Sequence, residues 1–182
     1  MKVTPTAIEG VLLLDPDIFR DERGFFMEVW RDGALAAAGL DAGFVQDNQS
    51  RSRRGVLRGL HYQAARPQGK LIRVLAGAVF DVAVDLRRRS PTFGRWFGVR
   101  LTGAGRRMLW APPGTAHGFL TLSRTADVAY KCTDFHLPGD DRAIAWNDPD
   151  LAIAWPLKTG QQPILSARDA AAGAFRDARF AV

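Results

Sequence analysis

The sequence predicts a mainly β protein, an antiparallel sandwich or barrel, from three features of its central part. In residues 79–86 side chains alternate as on the two faces of a strand: Phe80, Val82, Val84 and Leu86 face one way, Asp81 and Asp85 the other. Other short runs have strand character, at 56–63, 70–75, 96–102, 107–110, 118–122 and 128–135. Turn signals separate them, at Ser90-Pro91, Gly103-Ala104-Gly105, Pro112-Pro113-Gly114 and Pro138-Gly139.

The runs 70–75 and 79–86 flank Ala76-Gly77-Ala78, where glycine permits a positive φ, and this predicts a hairpin. Helices are expected only at the margins. Residues 33–39 form a short Ala-rich segment, and Ser166 is placed to cap a helix that runs to about residue 178. Asp169, three residues after Ser166, completes a pattern like a capping box. No Gly-rich phosphate loop of the Rossmann or Walker kind occurs.

The length of 182 residues suits one domain, and 47% apolar residues are enough for a core. No linker or repeat divides the chain, so we expect a single domain over 1–182: an N-terminal segment to about 50, a β core over about 51–150, and a C-terminal segment from about 151. The single cysteine, Cys132, cannot form an internal disulfide, and neither a signal peptide nor a membrane span is evident. These features favour a cytoplasmic protein without a membrane partner.

The chain is basic, with 25 Lys and Arg residues against 19 acidic ones and a net charge of +6. The excess positive charge could bind nucleic acid, or arginine could bind a small phosphorylated ligand. It could also merely form a solvated surface. Arginines cluster at 51–54 and at 87–89, but no basic amphipathic helix, zinc-finger spacing or RNA-binding signature accompanies them. We therefore expect no nucleic-acid partner.

A metal site is the first chemistry to test, because the segments 55–61 and 112–117, which end at His61 and His117, resemble the two motifs of metal-binding cupin barrels. The ligand set is broken, however. Gln63 stands where the second histidine belongs, and Pro67-Gln68 where the glutamate belongs. Two histidines without a carboxylate at the right spacing make a poor metal site, so no metal or other cofactor is expected.

Without a metal, His61 becomes a candidate for proton transfer, since histidine titrates near neutral pH. Strict alternation would put Arg58 and His61 on opposite faces of a strand, unless a bulge at Gly59 brings them together. Lys70 opens the next strand and could be either a surface lysine or an ammonium that faces an oxyanion. Tyr130 could be a core residue or a general acid.

Taken together, the chain resembles the dTDP-4-dehydrorhamnose 3,5-epimerase family. The matching stretches follow one another from end to end: DERGFFME (21–28), QDNQS (46–50), GVLRGLHYQ (55–63), QGKLIR (68–73), VFDVAVDL (79–86), SPTFG (90–94), WAPPGTAHGFL (110–120), YKCTD (130–134), WNDPDL (146–151) and LSARD (165–169).

The resemblance implies a cupin-like jelly-roll barrel with short peripheral helices, which forms a homodimer and uses no metal or organic cofactor. The implied reaction inverts dTDP-4-dehydro-6-deoxy-D-glucose at carbons 3 and 5 to give dTDP-4-dehydro-L-rhamnose, in dTDP-rhamnose biosynthesis. By resemblance His61 is the base, and Asp169 orients it. Lys70 meets the charge on the enolate oxygen, and Tyr130 returns a proton from the opposite face.

The resemblance also implies a set of substrate-binding residues: Arg23, Glu28, Gln46, Asp47, Asn48, Arg58, Lys70, His117, Asp141 and Arg168. The segment with Arg23 and Glu28 is implied to enter the site of the partner subunit, and Arg23 and Arg58 suit a pyrophosphate. For Asp169, the alternative role of capping the C-terminal helix stays open.

The chain departs from the family pattern at four positions. Phe135-His136 replaces a usual pair of tyrosines, Asp141 a glutamate, and Arg168 a lysine. Because Phe135 lacks a hydroxyl, epimerisation at only one carbon, as in related enzymes of antibiotic-sugar pathways, remains the alternative function.

Overall fold

The fold consists of two facing β-sheets and a small separate hairpin. The computed structural model describes residues 1–31, 33, 36 and 42–178. In that part of the chain the strands are β1 (Lys2–Pro5), β2 (Leu12–Asp15), β3 (Phe19–Asp21), β4 (Gly24–Phe26), β5 (Gln46–Arg53), β6 (Leu57–Gln63), β7 (Lys70–Ala76), β8 (Ala78–Asp85), β9 (Trp96–Thr102), β10 (Met108–Ala111), β11 (Thr115–Thr121), β12 (Thr125–Cys132) and β13 (Asp141–Ala143).

One sheet has six strands in the order β1-β2-β10-β7-β12-β5, and the other has five in the order β13-β6-β11-β8-β9. All pairs between these strands are antiparallel, and β3 pairs only with β4. From β5 to β13 the chain passes from one sheet to the other at every step except between β8 and β9, which pair in the five-stranded sheet, and this arrangement is that of a jelly roll. The expected mainly β, cupin-like jelly-roll fold is confirmed.

The predicted hairpin between 70–75 and 79–86 is wrong, because β7 and β8 belong to different sheets. Gly77 has a φ of 80° at the corner between them. A Cβ there would lie 2.1 Å from the carbonyl oxygen of Thr125, so no side chain fits. Each edge of β7 is already paired, with β10 and with β12, and the single-residue connection therefore leads into the other sheet.

The strand β8 has its predicted alternation, but both of its faces are buried. On one side of β8, in the space between the two sheets, apolar residues of both sheets pack around Ile72, Val79 and Leu109. On the opposite side of the five-stranded sheet, Val82 and Val84 pack against the C-terminal segment. Both carboxylates of β8, Asp81 and Asp85, are therefore fully buried.

The predicted C-terminal helix is much shorter than expected. Its Ser166 cap is present, but α1 covers only Ala167–Ala170, and a single 3₁₀ turn follows at Phe175–Asp177. The expected extension to about residue 178 is wrong because Gly173 forms a β-bridge with Ile144 and its carbonyl accepts a hydrogen bond from the Ala145 amide.

The predicted Ala-rich helix at 33–39 lies outside the described residues, except for Gly33 and Ala36. In the described part of the chain, no helix is long and apolar enough to cross a membrane.

Candidate active site

A cavity of about 360 Å³ lies between the two sheets and collects most of the residues singled out from the sequence. Its lining comprises Gln46, Asn48, Ser50, Arg58, His61, Tyr62, Gln63, Gln68, Lys70, His117, Phe119, Tyr130, Cys132, His136, Asp141 and Arg168. The five-stranded sheet supplies His61 and His117, whereas the six-stranded sheet supplies Lys70 and Tyr130. The cavity is thus bordered by candidate proton-transfer groups from two opposing walls.

Arg58 and His61 reach the same cavity because β6 contains an extra residue between them. In the pairing of β6 with β11, His61 lies opposite His117, but Arg58 lies opposite Phe119, so three steps along β6 match two along β11. Gly59 occupies the irregular position with a φ of 119°, and a Cβ there would lie 2.6 Å from the Gly118 Cα. Of the two arrangements that the sequence left open, the structure has the one with a bulge at Gly59.

His61 forms a close pair with Asp169, the third residue of α1. The distance between His61 Nε2 and Asp169 Oδ1 is 2.6 Å, and the Asp169 side chain is 4% exposed against 30% for His61. Burial acts to raise the pKa of Asp169, but the hydrogen bond and charge of His61 outweigh it and hold the pKa below its ordinary value. An ionised carboxylate can only accept, so Nε2 carries the proton and Nδ1 keeps the lone pair that a base needs.

The cap at the start of α1 is made by Ser166, whose Oγ accepts from the Asp169 backbone amide at 3.1 Å. The Asp169 carboxylate instead accepts from His61. The cap fixes the start of α1 and thereby the position of the carboxylate.

Lys70 lies at the start of β7 with its ammonium inside the cavity wall. Its Nζ is 3.5 Å from the His61 carbonyl oxygen, and no carboxylate within the described residues lies within 4.0 Å of it. Burial lowers the pKa of Lys70, against the opposing influence of Cys132, Asp141 and Asp81. An ammonium without an ion-pair partner can bind a developing negative charge.

Tyr130 extends from β12 into the same space, with its ring centroid 6.4 Å from that of His117. Burial raises the pKa of its phenol. The hydroxyl therefore keeps its proton at neutral pH and can act as a proton donor.

His117 forms a second pair with a carboxylate, Asp81 of β8. Its Nε2 lies 2.9 Å and 3.0 Å from the two Asp81 oxygens, and the side chains are 7% and 0% exposed. His61 and His117 thus each have one ring nitrogen engaged by an aspartate. The described residues contain no group of three or more His, Cys, Asp or Glu side chains that could hold a metal ion.

The carboxylate of Asp141, in β13, contacts both Arg168 and His136 at the cavity wall. Its Oδ2 accepts from Arg168 Nη1 at 2.5 Å and lies 3.0 Å from His136 Nε2. Burial acts to raise the pKa of Asp141, but the hydrogen bonds from Arg168 and His136 prevail and lower it. The His136 amide also donates to Gln46 Oε1 at 2.8 Å, which ties this group to β5.

Three expected binding residues do not line this cavity. Arg23 follows β3, pairs with Asp21, and is 85% exposed, while Glu28 pairs with Arg31 beyond β4. The Asp47 carboxylate pairs with Lys131. Within one chain, the structure therefore does not bring these three together with the other candidates.

Sequence reasoning missed several cavity or supporting residues. Asp81, the partner of His117, carried a detectable signal, because an acidic residue in an otherwise apolar strand is expensive to bury without a partner. The roles of Gln63, Gln68 and Cys132 had no such signal, since their hydrogen-bond partners are distant in sequence: Gln63 contacts Leu137, Gln68 contacts Asp134, and Cys132 contacts Asn48.

Comparison with known proteins identifies one family throughout. Residues 5–177 match the family model described as dTDP-4-dehydrorhamnose 3,5-epimerase. The chain is 54% identical over 179 residues to the protein of that name from Pseudomonas aeruginosa, with 98% of both chains covered. A solved dTDP-6-deoxy-D-glucose-3,5-epimerase from Legionella pneumophila, in complex with dTDP-4-keto-L-rhamnose, has a TM-score of 0.92 and 51% identity, and the match covers 97% of this chain and 93% of that one. A 3'-monoepimerase from Streptomyces bikiniensis in complex with dTDP-quinovose has a TM-score of 0.86 and 37% identity, with 93% and 86% covered.

Proposed function

The chain belongs to the dTDP-4-dehydrorhamnose 3,5-epimerase family, and on that basis we propose that His61, Asp169, Lys70 and Tyr130 carry its reaction. It is an isomerase that converts dTDP-4-dehydro-6-deoxy-D-glucose to dTDP-4-dehydro-L-rhamnose by inversion at carbons 3 and 5. Both carbons flank the ketone at carbon 4, so the loss of either proton gives an enolate whose charge rests on the ketone oxygen.

The observation that supports these roles best is that the base and the acid stand on facing sheets. His61 Nδ1 takes the proton from carbon while Asp169 stabilises the resulting imidazolium. The Lys70 ammonium stabilises the enolate oxygen. Tyr130, from the opposite sheet, delivers a proton to the other face of the carbon, and the configuration is inverted. Return of the proton from the same face would restore the substrate.

Incubation with the keto-sugar nucleotide in deuterium oxide, followed by NMR, tests the proposal. We expect deuterium at both carbons with the wild type and at neither with His61→Ala. Deuterium at a single carbon would favour the monofunctional alternative, and turnover by His61→Ala close to that of the wild type would contradict the assignment of the base. Identities of 54% and 51% to the 3,5-epimerases from Pseudomonas aeruginosa and Legionella pneumophila, against 37% to the 3'-monoepimerase, favour action at both carbons.

We propose in addition that the site is completed by a second copy of the chain. Arg23 lies in the turn of the β3–β4 hairpin, and Glu28 follows its second strand. The hairpin exposes the apolar side chains Phe19 (65%), Phe25 (51%) and Phe26 (69%). An exposed apolar surface of this kind is typical of an interface. A homodimer that exchanges this hairpin would bring Arg23 to the diphosphate in the partner's cavity.

Mixed dimers test the exchange. Arg23→Ala and His61→Ala subunits are each expected to be inactive alone. In a mixed dimer, exchange leaves one site with both residues intact, so an equilibrated equal mixture should recover about a quarter of the wild-type activity. An inactive mixture that contains mixed dimers would contradict exchange.

We also propose a cytoplasmic location, because the single cysteine is free and buried, as is usual in reducing compartments.

A further inference from the structure

His136 occupies a position that links two walls of the cavity. Its backbone amide donates to Gln46 of β5, and its imidazole contacts Asp141 of β13. The side chain is 46% exposed, and it lies at the cavity wall rather than in the core. The imidazole is therefore accessible to solvent.

Asp141 holds two partners on one oxygen. Arg168 and His136 both contact Oδ2, and within the described residues no other side chain donates to this carboxylate. The Asp141 side chain is only 13% exposed. A carboxylate buried to that extent needs a partner cation, so it cannot lose Arg168 without compensation.

Arg168 has donors available for an anion that enters the cavity. It contacts Asp141 through Nη1 alone, and its remaining N–H groups have no hydrogen-bond partner in the described part of the chain. It is 48% exposed and lines the cavity together with Arg58. A guanidinium with free donors can form the paired hydrogen bonds that phosphate oxygens accept.

We infer that His136 is a substrate-positioning residue: when the diphosphate of the nucleotide sugar draws Arg168 away from Asp141, His136 takes a proton from solvent and becomes the cation that neutralises Asp141. This inference rests on the proposed function, because a diphosphate is the anion that must reach Arg168. Before binding, Asp141 and Arg168 cancel in charge, and His136 can remain neutral. After binding, Asp141 pairs with the imidazolium.

Other charged groups around His136 do not replace this role. Asp134 is paired with Arg66, and the Asp140 carboxylate accepts from the amides of Ala65 and Arg66. His61 is engaged by Asp169. Lys70 favours an ionised Asp141 through its charge but lies beyond ion-pair distance of it. The proton taken up on binding is therefore expected on His136.

The test is isothermal titration calorimetry with dTDP-glucose, whose diphosphate does not titrate near neutral pH and which lacks the ketone needed for turnover. Binding at pH 7.5 in buffers of different ionisation enthalpy gives the number of protons taken up. We expect the wild type to take up a proton fraction that His136→Phe and His136→Gln both lose. His136→Gln keeps a neutral hydrogen-bond donor, so this variant should bind dTDP-glucose more tightly than His136→Phe does. The proton uptake that depends on His136 should be absent from both variants. The wild-type affinity should rise about threefold to tenfold from pH 8 to pH 6, and the two variants should show a flatter dependence.

Each result decides the inference. Proton uptake by His61 would persist in both variants, so the difference from the wild type isolates His136. Equal uptake in the wild type and the variants, or none in the wild type, would overturn the role of His136 while leaving the epimerase function intact. If the wild type does not bind dTDP-glucose at all, the proposed function itself is contradicted, and this inference with it.

Discussion

Replacement of Asp169 by Asn separates the electrostatic role of this residue from its place in the helix cap. The variant keeps the backbone amide that donates to Ser166 and the approximate volume of the side chain, but it removes the charge 2.6 Å from His61 Nε2. When His61 takes a proton from the substrate, the imidazolium then lacks its counter-charge. We expect the folded state to be retained and proton abstraction to be slowed.

The size of the effect follows from the geometry. A contact of this length places the two charge centres about 4 Å apart, where a pair of unit charges is worth about 4 kcal/mol at an effective dielectric constant of about 20. Because His61 is 30% exposed, solvent screens part of this interaction, and about 3 kcal/mol remains. That corresponds to a loss of about 100-fold in the rate of proton abstraction.

The assay is the initial rate of deuterium incorporation from deuterium oxide, measured by NMR at saturating substrate. Ser166→Ala is the matched control, because it removes the cap and leaves the carboxylate. We expect it to lose about 1 kcal/mol of stability and far less exchange rate than Asp169→Asn. An Asp169→Asn exchange rate within a few-fold of the wild type would refute the electrostatic argument. An equal loss of rate in Ser166→Ala would instead assign the effect to the position of α1.

Three further expectations test other parts of the molecule. Tyr130→Phe should still exchange substrate protons with solvent through His61 but should form little inverted product, so deuterium in recovered substrate without epimer is the expected NMR result; normal epimer formation would contradict the acid role. Lys70→Met should lower kcat more than it raises KM, because the ammonium acts mainly on the enolate, and the reverse split in steady-state kinetics would point to ground-state binding. Burial acts to raise the pKa of Asp85, but hydrogen bonds from Arg87, Ser90 and Thr92 lower this pKa to about 2 from 3.8. The ionised Asp85 carboxylate therefore contributes about 2 kcal/mol to the free energy of unfolding above about pH 4, and this contribution is lost as the pH falls towards 2. Urea unfolding of the wild type and Asp85→Asn across this range should converge at low pH, and a constant difference would contradict the assignment.

The sequence predicted strands and turns correctly where side-chain alternation along one strand, or the residues of one turn, determine the local structure. The strand at Trp96–Thr102 has its predicted bounds, and the turns at Gly103 and Pro138 are where their residues indicate. Strand β5 was not predicted because its sequence, QDNQSRSR, is polar throughout. Its backbone nevertheless pairs along its full length with β12, and this tertiary pairing outweighs the low strand propensity.

Prediction from local sequence was also wrong where a segment was compatible with two different structures. The segment around Gly77 would suit a hairpin as well as a passage between sheets, and only the pairing of β7 on both edges decides between them. The C-terminal Ala-rich segment has good helix propensity, but Gly173 pairs with Ile144 and ends the helix early.

What the sequence determined by itself was the fold class, the family, and the identity of most cavity residues, because periodicity, turn residues and collinear motifs are local properties of a chain. The tertiary structure alone decided how those residues meet. It showed that the extra residue at Gly59 turns Arg58 and His61 to one cavity, and that Ser166 caps α1 while the Asp169 carboxylate contacts His61. It also placed His136 beside Asp141 and left Arg23 on an exposed hairpin. Such relations join groups up to 108 positions apart, and they follow from the packing of two sheets rather than from neighbouring residues.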